Sequence, residues 1–415
     1  MKHLITILLL PLTLLFAKPI DRDQASNLAL NFATLNHKTL ILDTHTSHIK
    51  RSVHSVHEKD KETPYYFINL KPKGWVLVSG NDVIDPILGF SFDANIDTNT
   101  PLPPALISML DGFESDIDYL ESHPIKVRSK TSNMWDELSE NPESFRANIE
   151  DFRIRHKSFR SSRKKEIKPL LTTNWHQHAP YNAYTPIIAG EHSYVGCVAT
   201  ALAQIMAYHQ WPTKGRGKHT HTLDSSLTVN FGATTYNWSN ITNNDIAKLS
   251  YHIGVASDMY YTKNVSETSL EKAHYALHTH FKYTSSTIEK RSYFLNPSSW
   301  DNRLQNNLNQ KLPILYGGFR RKGIFSPNLG TIGHAFVCDG YKDIDEKIYY
   351  HINYGFKPES NANGYFSLHF FNSDSINYYY KNIAIFDIKP VRNSDFSTFA
   401  YSQILPTLLF GILGD

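Results

Sequence analysis

The stretch Tyr194–Pro212, YVGCVATALAQIMAYHQWP, decides how the second half of the chain is read. Gly196 and Cys197 lead into a run of helix formers, among them Ala199, Ala201, Leu202, Ala203, Gln204, Met206 and Ala207. Trp211-Pro212 ends the run, because proline cannot continue a helix. The pattern predicts a helix over Gly196–Gln210 with Cys197 in its first turn. Unpaired backbone N–H groups and the helix macrodipole favour an anion there, and a thiol is a nucleophile only as thiolate. Gly196 allows tight backbone geometry and close approach of a second chain. A lone cysteine on a buried helix is also an ordinary core residue. Two readings stand at this point: a nucleophile, or a structural thiol.

Further along, Thr331–Gly340 reads TIGHAFVCDG. A glycine turn delivers His334 at the start of an apolar strand, and a nucleophilic thiol needs such a base to take its proton and return it to the leaving group. Cys338, the second of two cysteines, lies four residues on and on the same strand face, roughly 13 Å from His334 at about 3.3 Å per residue. A disulfide needs Cα atoms within about 7 Å, so a Cys197 that meets His334 is too far from Cys338 to bridge it. Cys338 then reads as a strand-packing thiol. The next strand, Lys347–Asn353, ends in Ile352-Asn353-Tyr354-Gly355-Phe356, and an antiparallel hairpin through Lys342–Glu346 is expected to return Asn353 beside His334. The Asn353 amide would accept the imidazole N–H and fix the ring, under an aromatic shield.

The bulk properties set the frame. With 415 residues, 41% hydrophobic and 20% charged, most of the chain folds into two or three domains. A net charge of +3 implies neither nucleic acid nor an acidic substrate as partner. The 21 histidines are scattered and no HExxH or CxxC pattern gathers them, so no metal or other cofactor is called for. Lys2, the apolar run Leu4–Phe16 and Ala17 read as a secretory signal over residues 1–17, too short to span a bilayer. The apolar end of the chain, Ile404–Leu413, is broken by Pro406 and Gly411 and is likewise no membrane span.

Between these ends the chain divides. Asp21–Leu35 is an amphipathic helix, with Ala25, Leu28, Ala29 and Phe32 on one face. Tyr65–Leu70 and Trp75–Ser79 form a hairpin across Lys71-Pro72-Lys73-Gly74, Asp85–Phe90 adds a strand, and a second helix starts at Pro103-Pro104. These make a small α+β domain over 18–125. Residues 126–166 are polar and end in a basic run, Arg153 to Lys165, which reads as a protease-sensitive linker. From 167 to 395 helices come first (Ile246–Tyr260 and Ser269–Phe281 follow the cysteine helix) and strands afterwards, another α+β arrangement, with an apolar tail at 396–415.

GCVATALAQIMAYHQWP, GHAFVCDGY and HINYGF, in this order and separation, resemble the streptopain family of papain-like cysteine endopeptidases, peptidase family C10. Leu170–Pro186 resembles the start of that family's mature enzyme, and the stretch from Tyr65 to Ser91 resembles its propeptide. The resemblance implies a papain-like fold, a helical part carrying the cysteine and an antiparallel sheet part carrying the histidine, preceded by an inhibitory propeptide. It implies a secreted zymogen that hydrolyses polypeptides through a thioester and is held inactive by its own propeptide. Cys197 matches the nucleophile, His334 the general base and Asn353 the residue that orients it. Gln177, in Trp175-His176-Gln177, is placed like a side-chain donor to the oxyanion. The chain departs from the family pattern in having Tyr354 and Phe356 where tryptophans are usual, and Tyr316-Gly317-Gly318 where a glutamine is usual. The segment 319–330 is also longer and more basic. Two alternatives keep the fold: a secreted binding protein without activity, and a deamidase or transglutaminase acting on side-chain amides.

Overall fold

The computed structural model describes residues 18–36, 41–42, 63–97, 99–122, 129–147, 166–263, 265–284, 287–291, 297–321, 331–344, 347–360, 362–368 and 380–391. The signal expected at 1–17, the basic run 153–165 and the tail 396–415 lie outside the described residues. The chain divides into two compact units, 1–96 with 110–157 and 369–371, and 97–109 with 158–368 and 372–415.

In the first unit, helix α1 (Arg22–Asn36) buries Ala25, Leu28, Ala29 and Phe32, the face read from the sequence. Strands β1 (Ile41–Leu42), β2 (Tyr65–Lys71), β3 (Trp75–Ser79) and β4 (Ile87–Ser91) form an antiparallel meander in that order. The expected hairpin closes with Asn69 opposite Trp75, and Phe32 meets Phe90 edge to face at 5.1 Å. Helix α2 (Pro104–Ser122) starts on the proline pair and carries residues of both units.

Residues 126–166 are not a linker throughout. They contain α3 (Ser129–Leu138) and α4 (Pro142–Ala147), and Met134, Trp135, Leu138 and Phe145 are buried. The Trp135 indole N–H donates to the Ile84 carbonyl at 2.8 Å, and the Asn31 amide donates to the carbonyls of Leu138 and Glu140. Few apolar residues suffice here, because Trp135 and Asn31 also satisfy backbone carbonyls. The segment between the described parts therefore begins after Ala147.

In the second unit, α5 (Cys197–His209) is the rod at the centre. Val198 to Met206 are all buried, and Leu202, Ile205 and Met206 are fully inside. Burial of each such side chain contributes about 1.5–3 kcal/mol before entropy is counted. Helices α6 (Asn243–Ala256) and α7 (Leu270–Thr279) pack in the same core, and a capping box between Thr242 and Asp245 starts α6; two short ribbons, β6 (Ile187–Ile188) with β7 (Glu191–His192) and β8 (Lys218–Thr220) with β9 (Thr228–Asn230), flank α5 in sequence.

The sheet is antiparallel throughout, ordered β16 (Gly364–Phe366), β15 (Lys347–Asn353), β14 (Thr331–Ile344), β13 (Ile314–Arg321), β17 (Tyr380–Ile385) and β12 (Ile288–Lys290). Its two faces bury different partners. Leu315, Ala335, Val337, Ile383 and Ile385 join the core of α5 and α7. Tyr316, Phe336 and Phe386 face the other way: Tyr316 stacks on Phe336, and both Tyr316 and Phe386 meet Trp300 of α8 (Pro297–Asn309). Helix α8 and strands β12 and β17 were not anticipated. A short strand β5 (Glu166–Ile167) pairs with the far half of β14, so close at Gly340 that a Cβ there would stand 2.6 Å from the Ile167 carbonyl oxygen.

Candidate active site

The chain enters α5 through Gly196 at φ 91°, a region that favours glycine, with no side-chain cap. A Cβ on Gly196 would also stand 2.8 Å from the Met259 sulfur and 3.0 Å from the Ser266 carbonyl oxygen. Conformation and space both demand glycine before the cysteine. Cys197 is the first residue of the helix, as the sequence predicts. Its Sγ accepts the Ala335 N–H at 3.4 Å. Burial nevertheless pushes the thiol above its ordinary value. The N–H groups of Ala335, Val198 and Cys197 itself pull the other way, and the Glu267 charge adds to the rise. Desolvation outweighs the helix start, so the sulfur here is a neutral thiol.

His334 lies on β14, one residue before the backbone that touches the sulfur. Strand alternation puts it on the face of Phe336 and opposite Ala335 and Val337, which pack with the cysteine helix. Among the described residues its ring makes no hydrogen bond, to Cys197 or to any other group. Burial holds the imidazole down to about 4, so it is neutral at pH 7. The expected thiol–imidazole hydrogen bond is not among those of the described residues. Both cysteines are free, and Cys338 is fully buried, as a strand-packing thiol should be.

Asn353 also differs from expectation. The β14–β15 register sets it opposite Val337, not beside His334, and so on the cysteine-helix face. Its amide and that of Gln204 in α5 face each other, each nitrogen 3.3 Å from the other's oxygen. Asn353 Nδ2 further donates to the Thr173 carbonyl at 2.9 Å, and its Oδ1 accepts the Gly355 N–H at 3.0 Å. Gln204 Oε1 accepts from Thr173 Oγ1 at 2.9 Å and from the Trp175 N–H at 3.2 Å. The pair ties the 173–175 segment, α5 and the end of β15 into one buried cluster. Gln204 escaped the sequence reading because it sits among helix formers, and only its full burial marks it.

Gln177 is close to Cys197 by backbone: its carbonyl accepts the Val195 N–H at 3.0 Å, two residues before the cysteine. Its half-buried side-chain amide has no hydrogen-bond partner among the described residues. The rings on either side are held, His176 against Tyr181 and His178 against Tyr194. Among the described residues no group of three or more His, Cys, Asp or Glu side chains could hold a metal ion.

A helix that starts on a cysteine, laid against an antiparallel sheet that carries a histidine, is the papain-like arrangement of a cysteine peptidase. The comparisons narrow it. The Peptidase C10 family model matches residues 175–366, and that of the Spi protease inhibitor matches residues 17–117. Streptopain of Streptococcus pyogenes is 27% identical over 347 residues, 75% of this chain and 74% of that protein. The thiol protease/hemagglutinin PrtT of Porphyromonas gingivalis is 26% identical over 384 residues, 87% of this chain and 40% of that protein. A fragment of Prevotella intermedia prointerpain A shares the fold, with a TM-score of 0.59 and 23% identity over 83% of this chain and 98% of that one. The likeness to the peptidase C10 family thus covers residues 175–366, with the likeness to the Spi protease inhibitor in front of it.

Proposed function

We propose that this chain is a secreted cysteine endopeptidase, made as a zymogen and matured by cleavage between Ala147 and Glu166. Residues 1–17 act as the export signal, and among the described residues no helix is long and apolar enough to cross a membrane. The segment from 18 to 147 restrains the enzyme, and the domain from 167 to 395 performs the reaction on polypeptide substrates. The observation that carries the reading is the placement of Cys197 at the first residue of a buried helix, with the N–H of Ala335 on its sulfur.

The described arrangement suits a latent enzyme. Thiol and imidazole are both neutral, and among the described residues no hydrogen bond joins them. Activity requires the His334 ring to meet the Cys197 sulfur and take its proton. The thiolate then attacks the peptide carbonyl, and the Cys197 N–H and the Gln177 amide donate to the oxyanion. The His334 imidazolium passes its proton to the leaving amine as the C–N bond breaks. Water, deprotonated by the neutral ring, hydrolyses the thioester and releases the acid. Asn353 supports this site by holding the 173–175 segment against α5.

Replacing the nucleophile is the direct test. Cys197→Ala is expected to abolish both casein hydrolysis and self-processing while the full chain stays folded; casein hydrolysis at the wild-type rate would sink the mechanism. The unassembled pair also favours a second reading, a binding protein with the same fold. Iodoacetamide separates the two, since a Cys197 that stays unlabelled after cleavage of the linker supports the binder. A one-dalton shift in intact substrate proteins would instead indicate a deamidase.

A further inference from the structure

Beside the cysteine helix runs a small hairpin, β10 (Tyr260–Tyr261) with β11 (Ser266–Glu267). The Ser266 carbonyl lies against Gly196, so the next residue, Glu267, stands next to the entrance of α5. Glu267 is exposed, and its charge reaches the Cys197 thiol. In the register of the hairpin it is directly opposite Tyr260, a residue 60% exposed. Residues so opposed share a face, with Cβ atoms about 4.5–5.5 Å apart. The nearby lysines are engaged elsewhere: Lys263 with Glu191 at 3.7 Å, Lys272 with Asp258 at 3.8 Å and Lys290 with Glu271 at 3.8 Å. Among the described residues, Glu267 has no cation partner.

An unpaired carboxylate beside an open aromatic face is a receptor for a guanidinium or ammonium group, by charge and by cation–π attraction. We propose that Glu267 and Tyr260 form a subsite that selects polypeptide substrates with a Lys or Arg side chain close to the scissile bond. The proposal rests on the peptidase reading and names its substrate class. By itself the carboxylate works against the reaction, because a negative charge near the sulfur disfavours the thiolate. A bound cation offsets that repulsion, so a basic substrate fills the subsite and eases ionisation of the thiol together. The chain carries such a substrate itself. Residues 153–165 hold seven Lys and Arg and no acidic residue, within the segment that maturation has to cut.

The test uses the matured wild-type enzyme and its Glu267→Gln, Glu267→Lys and Tyr260→Ala variants. Cut sites in a denatured protein mixture are mapped by mass spectrometry, and kcat/KM is measured for paired peptides that differ by one Arg→Gln change at the enriched position. The wild type is expected to prefer the Arg peptide by about tenfold or more, the scale of one charge-assisted contact in a partly solvated site. Glu267→Gln should remove most of that ratio, Tyr260→Ala should reduce it, and Glu267→Lys should shift the cut sites towards acidic residues. A wild type with no basic preference, or a ratio that none of the variants alters, overturns the subsite and leaves the peptidase reading intact. No cleavage of any peptide, with Cys197 inert to iodoacetamide, overturns both.

Discussion

Asn353 and His334 stand on neighbouring antiparallel strands and were expected to meet, yet their surroundings differ in kind. Every polar atom of the Asn353 side chain is hydrogen-bonded, to Gln204, Thr173 and Gly355, and the residue is buried. The His334 ring, among the described residues, has no hydrogen bond and is neutral because it is partly buried. One corner of the site is thus locked by a satisfied polar cluster, and the other is held only by packing. A buried network that is complete specifies one geometry, whereas a group held by burial alone can leave when a better partner appears. The contrast fits the latent enzyme proposed above: the polar cluster is complete, and among the described residues no hydrogen bond joins the Cys197 thiol to the His334 ring.

The largest effect should come from breaking the locked corner at its hub. Gln204→Leu removes the acceptor shared by Thr173 Oγ1, the Trp175 N–H and Asn353 Nδ2, and strands at least one buried donor. At about 1–3 kcal/mol for each unsatisfied group, the loss should reach roughly 3 kcal/mol. Urea denaturation of the Cys197→Ala chain, which cannot process itself, provides the measurement. A midpoint unchanged by Gln204→Leu would show that the cluster is not a lock.

How much of this was legible beforehand depends on the kind of signal. The cysteine helix, the β2–β3 hairpin and the β15 strand follow from local periodicity and from proline and glycine at their ends. Helix α8 escapes the sequence reading because polar residues dominate Pro297–Asn309: its buried face joins Trp300, Leu304 and Leu308 to the polar Asn307. The polar segment after residue 125 was read as a linker for the same reason. Within the site, residue types in order along the chain gave Cys197, His334, Asn353 and Gln177. Register and strand face, which decide who touches whom, are set by pairing across the sheet and leave no mark in one strand's sequence. The three-residue offset between His334 and the partner of Asn353 is of that kind. So is Glu267, which gains its meaning only from lying beside Gly196.

Asn353 itself gives a middle-sized effect that separates its two roles. As a lock, Asn353→Ala should cost about 1–3 kcal/mol of stability even in the Cys197→Ala chain, where no catalysis takes place. As an orienting partner of His334 alone, it would leave stability unchanged and lower kcat of the matured enzyme. Denaturation midpoints in the inactive background decide between them, and the structure calls for the first result.

The smallest effect concerns the unlocked corner and depends on pH. His334 is held near pKa 4 in the fold and returns to about 6.5 in the unfolded chain. Between those values the unfolded chain binds a proton that the folded one does not. The ring's contribution to stability is therefore complete above pH 6.5 and is lost as pH falls towards 4. The slope is at most about 1.4 kcal/mol per pH unit for one group. Other histidines, the buried His252 and the half-buried His278 among them, are lowered in the same direction, so the total decline is no test of His334. The difference between the Cys197→Ala chain and its His334→Asn derivative is. Their midpoints should converge as pH drops from 7 to 5 if the neutral ring is packed as described. Parallel curves would mean that His334 is already solvated, so that packing does not hold its corner at all while the Asn353 cluster still holds the other.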